Sequence, residues 1–244
     1  MSPDLLVFIS LSILVIAFLY SSVGHAGASG YIAAMTLFGL APASVKPAAL
    51  LLNILVACLT TWQFWRAGHF SWGLFWPFAV TSVPFAFVGG YIDLPSHVFK
   101  IVVGLVLLYS AVRFFVRSKP DDESAPPGKP LSMSVGAGLG LLSGLTGVGG
   151  GIFLTPLLIF MKWARTKTAS AVSALFILAN SVSGLVGNIA YTKELPSFAG
   201  PFALAALVGG AVGSYLGSQR FSPAIIKRLL AVVLTIAGIK LIFA

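Results

Sequence analysis

Charge is what this sequence has least of. Of 244 residues only 9% are charged and six are acidic, whereas a soluble domain carries roughly 25% charged residues. So few charges cannot cover a water-facing surface, which excludes an ordinary soluble domain. The single cysteine, Cys58, excludes an intrachain disulfide and a cysteine-built metal site. The six acidic residues all lie at segment ends or in one polar stretch, so no carboxylate cage for a cation stands inside an apolar run. There is no GxxxxGK[ST] loop for a nucleotide, no HExxH, no GxSxG, no pair of intramembrane aspartates and no haem-type histidine pair. An enzyme is therefore not expected, nor a cofactor or a metal.

What is present is hydrophobicity. Apolar residues make up 58% of the chain and the mean hydropathy is +1.00, with apolar runs of about 20 residues recurring along the length. This is the pattern of an all-α integral membrane protein, with the lipid bilayer as its first partner. The net charge of +9 would suggest nucleic acid in a soluble protein. Here the basic residues sit between the apolar runs, where membrane orientation explains them, and no nucleic acid is expected. The first run, Leu5 to Tyr20, follows Asp4 and has neither a basic leader nor a small-x-small cleavage site. It reads as a retained helix.

Polar and Gly/Pro breaks divide the chain into five segments, a linker and five more. The first five run Pro3–Ser21, Ser29–Leu40, Ser44–Trp65, Trp72–Ile92 and His97–Val116; the last five run Leu131–Leu145, Gly151–Met161, Thr166–Tyr191, Phe198–Gly217 and Pro223–Phe243. Between them Arg117 to Pro130 is strongly polar and has too little apolar surface to fold alone. The expected organisation is a repeat over 1–116, a linker over 117–130 and a second repeat over 131–244. Ser22-Val23-Gly24-His25-Ala26-Gly27 aligns with Leu145-Thr146-Gly147-Val148-Gly149-Gly150, and each is followed by a short apolar segment and then a long one holding Asn53 or Asn180. Val88-Gly89-Gly90-Tyr91-Ile92 resembles Val212-Gly213-Ser214-Tyr215-Leu216 in the same order. Matches in register through both halves argue for an internal duplication.

Charge placement tests the topology. If all ten segments cross, 11 of the 15 basic residues gather on one face and only Lys46, Lys100, Lys193 and Lys240 on the other. If the two short segments re-enter instead, the division is 7 against 8 and the bias vanishes. Ten crossings are expected, with the basic face and the linker cytoplasmic and both termini outside the cytoplasm. Five crossings per half is odd, so the second half is inserted upside down relative to the first. Two inverted five-helix repeats are a recurring plan in secondary transporters, with substrate bound near the midplane.

Segments two and seven are short of the roughly 20 residues needed to span. The missing length falls to the glycine-rich stretches before them, which enter the membrane as irregular backbone buried in protein or lining a cavity. Each leads into a helix N-terminus, where free N–H groups and the helix dipole favour an anion, and glycine lets a ligand approach the backbone. The expected binding set is Gly24, His25, Gly27, Ser29 and Asn53 from the first half, with Gly147, Gly149, Gly150, Gly151 and Asn180 from the second. The plainer reading is that small residues only let helices pack closely and that the asparagines bond between helices.

Gly147-Val148-Gly149-Gly150-Gly151 followed by Pro156-Leu157-Leu158 resembles the G-x-G-G-G…P signature of the TauE/SafE sulfite exporter family. The Gly24 stretch is similar to its degenerate first-half copy, with His25 and Ala26 in place of Val148 and Gly149. The resemblance covers nearly the whole chain. It implies a multi-pass protein of the cell inner membrane that transports a small sulfur-containing anion such as sulfite, thiosulfate or an organosulfonate. The sequence leaves the driving force open between a proton gradient, a sodium gradient and the membrane potential. A passive anion channel and a non-catalytic subunit of a larger complex are the alternatives, and an oligomer is left open.

Overall fold

A computed structural model describes residues 3–40, 42–92, 97–116, 124–192 and 200–243. Among the described residues there are ten α-helices and no strand: α1 (Pro3–Ser22), α2 (Ala28–Leu37), α3 (Pro42–Arg66), α4 (Trp72–Tyr91), α5 (His97–Val116), α6 (Lys129–Thr146), α7 (Gly151–Phe160), α8 (Thr166–Thr192), α9 (Gly200–Tyr215) and α10 (Pro223–Phe243). Among the same described residues the one other regular element is a π-helical turn, Leu216–Arg220, that continues α9. A helix satisfies its own backbone, which is why apolar sequence destined for lipid takes this form. Among the described residues five helical stretches combine the length and the hydropathy to cross a bilayer, one of them α9 together with its π-helical turn, and α2 and α7 are short apolar helices of 10 residues each. Residues 117–123 of the expected linker lie outside the described residues.

Glycine sets how the helices meet. On α6, Gly136, Gly140 and Gly144 face the backbone of Phe78, Ser82 and Ala86 on α4. On α9 and its π-helical turn, Gly209, Gly213 and Gly217 face Leu14, Phe18 and Ser22 on α1. A Cβ at any of these six glycines would run into the opposing carbonyl oxygen. In both pairs the numbers rise together, so α6 runs parallel to α4 and α9 parallel to α1. By contrast α5 and α10 cross antiparallel, with Gly104 against Gly238 and Ile242, and Gly238 against Leu108. Helices α3 and α8 pack on each other at the centre; α4 also packs on α8, and α9 on α3.

Contacts of Arg113, Lys129, Lys162 and Lys167 mark one face. Lys129 stands 5.3 Å from the Trp76 ring centroid and Arg113 stands 5.4 Å from that of Phe160. Ala125 N–H donates to the Lys162 carbonyl at 3.0 Å. The Ser218 carbonyl, in the π-helical turn, accepts from Lys167 Nζ at 3.1 Å and meets His69 Nε2 at 3.2 Å. These contacts join the end of α3, the start of α4, the ends of α5 and α7, and the starts of α6 and α8. Trp62, Trp65, Trp72 and Trp76 are exposed there, as an interfacial aromatic belt requires. At the opposite face Tyr91 and Tyr191, ending α4 and α8, meet edge to face at 5.8 Å. The π-helical turn is a departure from the plain span expected over Phe198–Gly217, of which residues 198 and 199 lie outside the described residues.

Two measurements check this packing. Gly140→Ala drives a methyl into the Ser82 backbone, whereas Gly138, two residues away, has nothing within 4 Å. Thermal unfolding in detergent is expected to record a loss of about 1–3 kcal/mol for Gly140→Ala and no loss, or a gain of up to about 1 kcal/mol, for Gly138→Ala. Burial holds the His69 imidazole below its ordinary pKa of 6.5; the Ser218 carbonyl opposes this and the nearby Lys167 charge adds to it. The unfolded chain therefore takes up the proton first, and stability present above the ordinary pKa falls as the pH drops through it. His69→Gln keeps a donor for Ser218 and is expected to flatten the fall in unfolding temperature between about pH 7.5 and about pH 5.5.

Candidate functional site

Both glycine stretches break their helices inside the bundle, and both do so through left-handed backbone. Gly24 and Gly27 have φ of 83° and 107°; Gly147, Gly149 and Gly150 have φ of 71°, 79° and 77°. A side chain at any of these five positions is strained whatever the space around it. The first loop closes on α1 through His25 N–H to the Tyr20 carbonyl at 2.9 Å, and Tyr31 Oη donates to the Ala26 carbonyl at 2.6 Å. Gly27 then opens α2 and Gly150 opens α7, and neither carries a side chain to cap the helix it begins.

Asn53, buried on α3, supplies the missing cap. Its Oδ1 accepts the first N–H of α2, from Ala28, at 3.0 Å. Its Nδ2 donates to Ser181 Oγ on α8 at 2.8 Å. Gly149 sits in the corner these two residues make: a Cβ there would lie 2.6 Å from Asn53 Nδ2 and 2.9 Å from Ser181 Oγ. A second link joins the first loop to α7, where His25 Nε2 lies 2.8 Å from Thr155 Oγ1. His25, Asn53, Thr155 and Ser181 are all buried.

Around these links stand polar atoms with no partner among the described residues. They are His25 Nδ1 and the hydroxyls of Ser143, Ser170 and Ser173. Ser170 lies against Gly24, Ser143 against Gly150, and the Ser173 backbone against Gly151. The space between the loops is lined by Tyr20, His25, Gly27, Ser29, Val148 and Ile152 among others, and measures about 10 Å³. One water needs roughly 10–15 Å³ on that measure, so the centre is closed to any larger solute in this conformation.

The expected site residues fall into two groups. Gly24, His25, Gly27, Ser29, Asn53, Gly149 and Gly151 converge on this centre. Ser29 is already engaged there, 2.9 Å from the Tyr20 hydroxyl. Gly150 backs onto Phe176 and Ser143, and Gly147 lies at the margin beside the Lys46 side chain. Asn180 is not brought to either loop by any hydrogen bond seen: its Nδ2 donates to the Phe176 carbonyl of its own helix at 2.9 Å, and its Oδ1 is without a partner. The α8 group that meets Asn53 is the next residue, Ser181. Thr155 and Ser181 were absent from the expected set. Thr155 had a visible signal, as the one polar side chain in Gly151–Phe160.

The arrangement offers hydroxyls, an imidazole and loop backbone, with no acidic side chain on the lining among the described residues. The sulfite exporter TauE/SafE family model matches residues 9–241. The chain is 38% identical to the probable membrane transporter protein y4hK of Sinorhizobium fredii over 240 residues, covering 96% of this chain and 97% of that one. It is 26% identical to the probable membrane transporter protein MJ0441 of Methanocaldococcus jannaschii, covering 70% and 68% of the two chains. It is 23% identical to the probable membrane transporter protein YunE of Bacillus subtilis, covering 68% of each. No solved structure matches the chain.

The two asparagines are expected to differ sharply in stability. Asn53→Ala strands the Ala28 N–H and the Ser181 hydroxyl, at about 1–3 kcal/mol for each buried group left bare. Asn180→Ala removes only a bond to an intrahelical carbonyl, together with an unpartnered oxygen, and is expected to cost under about 1 kcal/mol. Denaturation midpoints of the two variants against the parent are the check.

Proposed function

The chain belongs to the sulfite exporter TauE/SafE family of membrane transporters, and from that premise we propose that it is a secondary transporter of a small sulfur-containing anion, working by alternating access. The observation that carries this reading is the meeting of two glycine loops, one from each half, in a single closed and buried centre. Repeats over 1–116 and 131–244 are inserted in opposite senses, with the linker 117–130 cytoplasmic and both termini outside. The helix directions support this: α1 runs with α9 toward the basic face, and α6 runs with α4 away from it. The corresponding helices α1 and α6 are thereby opposed.

An anion suits the centre because hydroxyls, backbone N–H groups and the N-terminus of α7 are donors or positive dipole ends. Asn53 already occupies the first N–H of α2, which moves the weight of binding to α7 and the unpartnered serines. Sulfur as the element comes from the family alone. The substrate is sulfite, thiosulfate or an organosulfonate, and the coupling ion is a proton or sodium. Opening toward either face parts the His25–Thr155 and Asn53–Ser181 links in turn. A passive channel is the second reading, and a cavity of about 10 Å³ favours a carrier that must change shape over an open pore.

The test is uptake into proteoliposomes loaded with unlabelled sulfite, thiosulfate or sulfoacetate. A carrier is expected to accelerate exchange of the same labelled anion, to saturate, and to lose flux in Gly150→Leu; flux that neither saturates nor shows counterflow overturns alternating access. Thermal stabilisation separates binding from transport. A ligand at about 100 times its Kd is expected to add roughly 2.7 kcal/mol, and absence of any shift across sulfite, thiosulfate, sulfoacetate, taurine, phosphate and chloride overturns the anion reading.

A further inference from the structure

A second cavity lies well away from the glycine loops, between the last turn of α3 and the π-helical end of α9. It measures about 420 Å³ and is lined by Trp62, Gln63, Arg66, Tyr215 and Gln219. That volume is in the usual range of small-molecule pockets, about 300–1,000 Å³. Gln63 Nε2 donates to the Ala211 carbonyl at 3.0 Å and so braces the floor to α9. Tyr215 at the end of α9 and Gln219 in the π-helical turn line the same cavity, while the Ser218 carbonyl of that turn engages Lys167 and His69.

The lining has a definite chemistry. Arg66 lies over the Trp62 ring, 5.8 Å from its centroid. At that distance the ring attracts the guanidinium through its charge, and the N–H donors of the guanidinium match a planar, bidentate acceptor such as phosphate. Among the described residues no carboxylate lines the cavity, and Gln219 and Tyr215 add neutral donors. Trp62 and Tyr215 are 59% and 47% exposed, amphipathic rings turned outward at the face where the basic residues and the tryptophan belt gather. Such rings sit at headgroup depth, and basic pockets between transmembrane helices hold anionic lipid headgroups.

We infer that this cavity binds the phosphodiester headgroup of an anionic phospholipid, held by Arg66 with Gln219 and flanked by Trp62 and Tyr215. The site is separate from the transport centre. It joins α3 to α9, and it grips the same π-helical turn that His69 and Lys167 hold through Ser218.

The experiment is native mass spectrometry of the full chain in a neutral detergent, titrated with phosphatidylglycerol, with phosphatidylcholine and soluble glycerol phosphate as competitors. One phosphatidylglycerol is expected to bind saturably, with an affinity about ten- to a hundredfold lower in Arg66→Ala, as loss of a charged hydrogen bond implies. Arg66→Lys is expected to retain part of the affinity. Arg165→Ala, which removes an exposed charge from the same face, is expected to bind as the parent does. Equal retention in the parent and Arg66→Ala overturns the inference, as does competition by phosphatidylcholine as effective as that of phosphatidylglycerol. Displacement by glycerol phosphate at comparable concentration overturns the lipid as occupant and leaves a soluble phosphate ester. Should Arg66→Ala fail to fold, Gln219→Leu carries the same comparison, with unchanged binding counting against the site.

Discussion

The constraint on which the rest depends is that backbone polar groups cannot be left bare at membrane depth. Two glycine loops break their helices inside this bundle, and each break frees N–H and carbonyl groups that lipid cannot satisfy. Asn53 meets that demand for α2 with one side chain: its oxygen takes the Ala28 N–H and its nitrogen fixes Ser181 on α8. The same amide thus caps a helix in one half and ties it to the other. The second loop can pass this junction only as glycine, because Gly149 occupies the corner between Asn53 and Ser181 with a left-handed φ.

Outside the centre, association has to be driven by packing, since lipid tails are as apolar as leucine and no hydrophobic force joins helices within a bilayer. Close backbone approach answers this, and the approach is lopsided. At the α1–α9 contact the facing glycines all belong to α9 and its π-helical turn, and at the α4–α6 contact three belong to α6 against one on α4, Gly89, which faces the Leu141 carbonyl. If α1 corresponds to α6 and α4 to α9, Gly89 and Gly213 are equivalent and each faces a carbonyl of its partner helix, while the glycines of α6 have no counterpart on α1. Divergence of this kind weakens a repeat in the sequence while preserving the contact in space.

Much of the fold was legible because hydropathy and charge are local sums. The ten helices fall where apolar runs met polar and glycine breaks, and the short α2 and α7 follow their glycine stretches as expected. The basic face was readable from loop composition alone. Asn53 was legible as a costly buried amide. What was not legible depends on rotation about a helix axis: adjacent residues differ by about 100°, and that angle decides that Ser181 faces Asn53 while Asn180 turns to its own backbone. The π-helical turn over Leu216–Arg220 was equally hidden, since Gly217 gives no sign that the turn widens there; the widening accompanies bonds to Lys167 and His69 from distant parts of the chain.

The parallel pairing of α1 with α9 and of α4 with α6 has a consequence for how the protein is made. Synthesis delivers the earlier helix of each pair first, so α1 and α4 enter the membrane before the glycine faces that fit them exist. Helix α4 waits through α5 and the linker for α6, and α1 waits through nearly the whole chain for α9. The first five helices are therefore not a finished unit at any point in translation. Their assembly closes only when α10, the partner of α5, arrives.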